Sequence, residues 1–135
     1  LYSLYLTPNF DSIIAPLYIN STSTTPFVRL AVAHELRTAA QAELLKHHTI
    51  VNPSTIYTEA EEAFRDLADK LGEDRWFFGE ANPGLFDAAV FAYTHLLLDQ
   101  DLGAGWQDKR LQRAVSMHDN LVQHRNRIWD LYYKA

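Results

Sequence analysis

The stretch from Leu85 to Leu98 contains only four clearly polar residues, Asp87, Tyr93, Thr94 and His95. A helix that is apolar nearly all round has no obvious solvent face, so it is expected at the centre of a core. The run is shorter than the roughly 20 apolar residues that a membrane-crossing helix needs, which points to a buried helix instead. Just before it comes an aromatic loop, Arg75-Trp76-Phe77-Phe78-Gly79, and then a turn at Asn82-Pro83-Gly84. The rest of the chain is expected to pack around this element.

The start of that helix can be read residue by residue. Gly84 falls at the N-cap and Asp87 at N3, where a carboxylate reaches back to the N-cap N–H and sits at the positive end of the helix dipole. Glycine in place of Ser or Thr gives up the side-chain half of the capping box for a few tenths of a kcal/mol. Asp87 therefore has a local partner, and capping accounts for it better than catalysis does.

At 135 residues the chain is expected to form a single domain, 1–135, with one sizeable core. Hydrophobic residues make up 47% and aromatic residues 13% of it, a composition that excludes intrinsic disorder. A net charge of −5 argues against a nucleic-acid partner, because neutralising phosphates requires a basic face. The absence of cysteine removes disulfide scaffolds, thiol chemistry and cysteine-held metals. The chain begins at Leu1 without Met or a basic leader, so we expect it to be part of something longer.

Residues 1–28 hold no Lys or Arg and one acid, Asp11, among many apolar side chains. Two short helices are expected there, broken near Thr7-Pro8-Asn9 and at Pro16. So uncharged a segment needs covering, and its tyrosines Tyr2, Tyr5 and Tyr18 suit a protein contact. Asn20-Ser21-Thr22 fits a glycosylation acceptor, which we take as a chance match without a secretory signal. Thr25-Pro26 should start a helix running to about His48, with Val28, Val32, Leu36 and Ala39/Ala40 on one face. Asn52-Pro53 starts the next, whose stripe is Ile56, Ala60, Ala63, Phe64, Leu67 and Leu71 and which Gly72 ends. Its acidic face offers Glu61–Arg65 and Asp66–Lys70 as i,i+4 pairs. Gly103 and Gly105 should break the chain after the central helix, and Ser116 with Asp119 should divide the last segment into two helices. From Lys109 onward six basic residues meet two acids, whereas Glu59 to Arg75 carries seven acids and three bases. This asymmetry suits orientation against partners.

Little in the chain resembles a reaction centre. None of the six histidines (His34, His47, His48, His95, His118, His124) pairs with another at i+3 or i+4, as helical zinc ligands would. His95 and Asp99 lie one turn apart, and a hydrogen-bonded core histidine accounts for them better than an acid/base dyad. Trp76, Phe77 and Phe78 could wall a ligand but are better read as core. No phosphate loop, nucleophile elbow or Cys–His arrangement is present. We expect no catalytic, metal-binding or cofactor-binding residues.

The run Phe78-Gly79, a turn with Pro83, then Leu85-Phe86-Asp87-Ala88 and an apolar helix resembles the C-terminal helical domain of the glutathione transferase superfamily. Leu85-x-Asp87-Ala88-x-x-Phe91, with no catalytic residue in it, resembles the metaxin branch most. Residues 1–20 are similar to the first helical hairpin of that domain, and His124-Arg125-Asn126-Arg127-Ile128 with Tyr132-Tyr133 to its last helix. Gly84 departs from the usual hydroxyl residue, which weakens the cap slightly. The resemblance implies an all-α bundle of about six helices and a thioredoxin-like domain ahead of this chain. It also implies a non-enzymatic subunit of the mitochondrial sorting and assembly machinery, on the cytosolic face of the outer membrane, that helps insert β-barrel precursors. Its partners would be a barrel-forming outer-membrane subunit and a second metaxin-type subunit. The chain ends Leu131-Tyr132-Tyr133-Lys134-Ala135 without an apolar 20-mer, so the peripheral, unanchored subunit fits best. Two other readings remain open: the substrate-pocket half of an active glutathione transferase, and a docking domain like those of translation factors and synthetases.

Overall fold

Proline opens both long helices, and a glycine at C′ closes the second of them. The computed structural model describes residues 2–6 and 8–134; what was expected of Leu1, Thr7 and Ala135 lies outside the described residues. Helix α1 spans Pro26–Leu44 and α2 spans Pro53–Leu71. They are followed by α3 (Leu85–Leu98), α4 (Gln100–Ala104), α5 (Arg110–Ser116) and α6 (Asp119–Tyr132). Short 3-10 turns cover Tyr2–Tyr5 and Phe77–Gly79, and a wide helix with i→i+5 bonding covers Phe10–Ile19. No strand occurs among the described residues, so the all-α class holds. Nor is any helix among them long and apolar enough to cross a membrane.

Several local readings need correcting. The wide helix runs on through Pro16, whose missing N–H leaves one bond of the five-back ladder unmade; the ladder continues beyond it, with Asn20 N–H bonded to Ala15 O at 2.8 Å. Helix α1 stops at Leu44, short of His48, and its buried residues are Ala40 and Leu44; Val28 and Ala39 are exposed. Thr25 is its N-cap in backbone only, with no side-chain bond. In α2, Ala63 is exposed and Ala68 takes its place in the buried set. Gly72 closes that helix in the left-handed region, φ 53°, as its C′ position requires. Glu61 takes its hydrogen bonds from Arg110 of α5, and Arg65 on its own helix adds a smaller charge attraction. Gly103 sits inside α4: a Cβ there would lie 2.7 Å from Leu97 O, so the glycine permits close packing and does not break the chain. The chain does divide between α5 and α6, although the Ser116 hydroxyl donates back to Gln112 O (2.7 Å) and leaves α6 uncapped by side chain.

The packing separates the chain into two compact units, Leu1–Tyr57 with Gly105–Asp108, and Thr58–Ala104 with Lys109–Ala135. In the first, Phe10, Ile14, Ile19, Leu44, Tyr57 and Trp106 are buried. Asn9 is wholly buried with them, donating to Ser3 O and Tyr57 Oη and accepting from Asp108 N–H (3.0 Å). In the second, α3 packs on α5 and α6, and Trp76, Phe77, Leu71, Val115 and Leu121 are sealed from solvent.

Helix α3 departs from its expected burial on all sides. Asp87, Val90, Phe91, Thr94 and Leu97 face inward, whereas Ala88, Ala89 and Ala92 are exposed and Leu85 and Tyr93 are 92% and 54% exposed. Hydropathy reports what a face would prefer to touch; whether its own unit supplies the cover depends on tertiary packing.

Candidate functional site

The most organised polar group of the second unit lies where the aromatic turn meets the start of α3. Asp87 Oδ2 accepts the Gly84 N–H at 2.9 Å, which is the half capping box expected from the sequence. Oδ1 accepts two more bonds, from the Phe77 N–H at 3.0 Å and from His124 Nε2 at 2.8 Å. One carboxylate thus ties the aromatic turn, the head of α3 and the middle of α6 together. Burial pushes the Asp87 carboxyl up, but the Gly84 and Phe77 amides and His124 together outweigh it and hold the group below the ordinary carboxylate range.

His124 is enclosed. Its ring packs edge-on against Trp76 and Phe77, at centroid distances of 5.8 and 5.3 Å, and its Nδ1 has no hydrogen-bond partner. Burial lowers its affinity for a proton, and Asp87 opposes this only in part. The ring is therefore neutral, with its proton on Nε2 facing the carboxylate. An Asp–His pair can be an acid/base dyad, but here both side chains are sealed, at 2% and 0% exposure, and no reacting group can approach. The geometry makes the pair a structural node. His124 was not singled out with Asp87 from the sequence. The available signal was its place at i+3 from Leu121 and i−4 from Ile128, in line with the apolar stripe of α6, where a polar side chain needs a partner.

His95 is satisfied as expected but by a different residue. Arg125 of α6 donates to its Nδ1 at 2.8 Å, while Asp99 stands 4.0 Å from its Nε2. Burial and the Arg125 charge lower the His95 pKa against Asp99. The imidazole belongs to a four-ring stack with Phe91, Trp129 and Tyr133, whose neighbouring planes lie within 22° of parallel. Beside the stack is a groove of about 330 Å³ lined by Pro83, Gly84, Ala88, Phe91, Ala92, Ile128, Tyr132 and Tyr133. Trp76 and Phe77 are core residues as expected; Phe78 is 58% exposed, with φ at 64°, and its ring rests on Phe86 and under the Lys70 ammonium.

The tyrosines expected at a partner contact all fall in the first unit. Tyr2 and Tyr5 are half-buried, and Tyr18 is 62% exposed. Tyr5 lines a second groove, of about 310 Å³, with Leu6, Arg37, Ala40, Gln41, Leu44, Val51 and Pro53. No group of three or more His, Asp or Glu residues able to hold a metal occurs among the described residues.

Residues 60–128 match the family model described as the glutathione S-transferase C-terminal domain. Among curated proteins, Metaxin-3 of Danio rerio is 30% identical over 135 aligned residues, which cover 93% of this chain and 40% of that protein. Metaxin-1 of Macaca fascicularis is 37% identical over 78 residues, covering 58% of this chain and 23% of its own length. Metaxin-1 of Homo sapiens is also 37% identical over 78 residues, covering 16% of its own length. The chain therefore spans less than half the length of the relatives it matches.

Proposed function

The chain belongs to the metaxin family, with the helical fold of the glutathione S-transferase C-terminal domain, and from that premise we propose that it is a non-catalytic scaffold at the mitochondrial outer membrane. The module serves in the sorting and assembly machinery, peripheral to the cytosolic face, and helps bind and insert β-barrel precursors. It does so alongside a barrel-forming subunit and a second metaxin-type subunit. The observation that carries this reading is the outward face of α3: Leu85, Ala88, Ala89, Ala92 and Tyr93 form an exposed apolar stripe with no ionisable acid or base among them except the tyrosine. Such a face serves to hold another body. The thioredoxin-like domain that we propose precedes this chain is its first candidate.

Tyr2, Tyr5 and Tyr18 are proposed as a second contact, toward a partner subunit. Tagged protein isolated from mitochondria should co-purify with a barrel-forming outer-membrane subunit. Tyr5→Glu and Tyr18→Glu should weaken that association while the helical signal in circular dichroism stays unchanged. Saturable micromolar binding of glutathione in calorimetry, with no barrel-forming partner recovered, would overturn the scaffold in favour of a transferase.

A further inference from the structure

The first unit carries an exposed apolar surface that the contacts proposed above do not use. Helix α1 opens with Phe27, Val28 and Leu30 at 82%, 43% and 67% exposure. Leu17, near the end of the wide helix, is 61% exposed. That end of the wide helix meets the start of α1, where the Arg29 guanidinium donates to Ser23 O and Asn20 O. At 3.6 residues per turn, Phe27, Leu30 and Ala31 share one face of α1 with His34. The exposed face is thus apolar for about one turn, Phe27 to Ala31, and polar from His34 and Glu35 onward.

Charge distinguishes this surface from the rest of the molecule. The chain carries 17 acidic residues and a net charge of −5, yet none of the acids lies between Asp11 and Glu35. The side chains bordering the apolar ones are neutral hydroxyls, with Ser21, Thr22, Thr24 and Thr25 all exposed or half-buried, and the one charge within that span is Arg29. A lipid surface suits such a patch: it takes large apolar side chains at one helix end, polar neighbours able to hydrogen-bond headgroups, and no acid to be repelled by anionic lipid.

We infer that the start of α1, through Phe27, Val28 and Leu30 with Leu17 beside them, inserts shallowly into a lipid surface. This rests on the reading of the protein as peripheral to the outer membrane and names the residues that make the contact. It requires no membrane-spanning segment.

Flotation of the purified chain with phosphatidylcholine, phosphatidylethanolamine and phosphatidylinositol vesicles tests it. The wild type should float with the vesicles, and Phe27→Glu/Leu30→Glu should lower the bound fraction by about tenfold or more. Met117→Glu, which alters an equally exposed apolar residue (82%) in the other unit, should bind as wild type does. Phe27→Trp should add an indole emission that is quenched by lipids brominated on the acyl chain. Several outcomes overturn the inference: a wild type that stays unbound, a double variant that floats normally, equal losses from Met117→Glu and the double variant, or an added emission in Phe27→Trp that brominated lipid leaves unquenched. Loss of co-purified mitochondrial proteins in a double variant whose parent never bound vesicles would assign the face to a protein partner and likewise overturn it. Fractionation of cells separates this from the functional reading: a double variant still found in mitochondria with its barrel-forming partner, but floating as well as its parent, defeats the lipid contact alone.

Discussion

Each unit has a buried polar side chain that ties several chain segments together, and the two are built from opposite chemistry. In the first, Asn9 uses a neutral amide that both donates and accepts, and it joins residues 6, 48 and 99 positions away. In the second, Asp87 can only accept, and it gathers three donors at separations of 3, 10 and 37. An amide can link a carbonyl, a phenol and an N–H at once without bringing a charge into the core. A carboxylate makes stronger, charge-assisted bonds but must be fully surrounded by donors to be worth burying. The first hub therefore organises distant chain segments at modest strength, and the second locks local ones strongly and makes them sensitive to acid.

The largest expected effect is at the charged hub. Asp87→Ala leaves the N–H groups of Phe77 and Gly84 and the Nε2 proton of His124 without an acceptor; at about 1–3 kcal/mol for each buried donor, it should cost about 3–5 kcal/mol in denaturant unfolding. That exceeds the roughly 0.5–2 kcal/mol of a simple cap. Asp87→Asn should cost less, because an amide oxygen still accepts. A loss of about 1 kcal/mol for the alanine variant would reduce Asp87 to a cap and erase the contrast.

Asn9→Ala should cost about 1–3 kcal/mol, since the bonds it removes are between neutral groups and weaker than the carboxylate's. The same unfolding measurement compares the two directly; a cost equal to that of Asp87→Ala would mean that charge adds nothing.

Acid should affect only one of the hubs. His124 has a folded pKa below its ordinary 6.5, so the unfolded chain takes up this proton first, and stability falls as pH drops below that value toward the folded one. Asp87 is likewise depressed: its contribution is present above the ordinary 3.8 and is lost as pH falls through the lower folded value. Stability should therefore decline with acidification, and His124→Gln should flatten the decline beginning near pH 6.5. His95, depressed in the same direction, contributes a part that this variant leaves in place. Asn9→Ala should shift the whole curve down without changing its slope. If the slope changes equally in both variants, the acid response belongs to the molecule at large.

The smallest test is Tyr57→Phe, which removes one partner of Asn9 (3.3 Å) and should cost about 0.5–1.5 kcal/mol. Combined with Asn9→Ala, the two costs should be less than additive, because both act through one bond. Full additivity would separate Tyr57 from the hub.

Local chemistry made the second unit the more legible of the two from sequence. Gly84 and Asp87 stand three residues apart, and the bond between them needs only the first turn of a helix to form, so spacing alone announced it. Gly72 at C′, the break between α5 and α6 and the helical class itself follow from the same short-range rules. Asn9 gave no such signal, because its partners lie up to 99 residues away and nothing in its neighbourhood specifies them. The third and fourth members of the Asp87 node, Phe77 N–H and His124, and the bonds that Arg110 makes to Glu61, depend in the same way on which helix faces meet. Packing also decided which side of α3 is left uncovered. Hydrophobicity along a chain gives the tendency of a face to be buried, and only the arrangement of the neighbouring helices determines whether its own unit buries it.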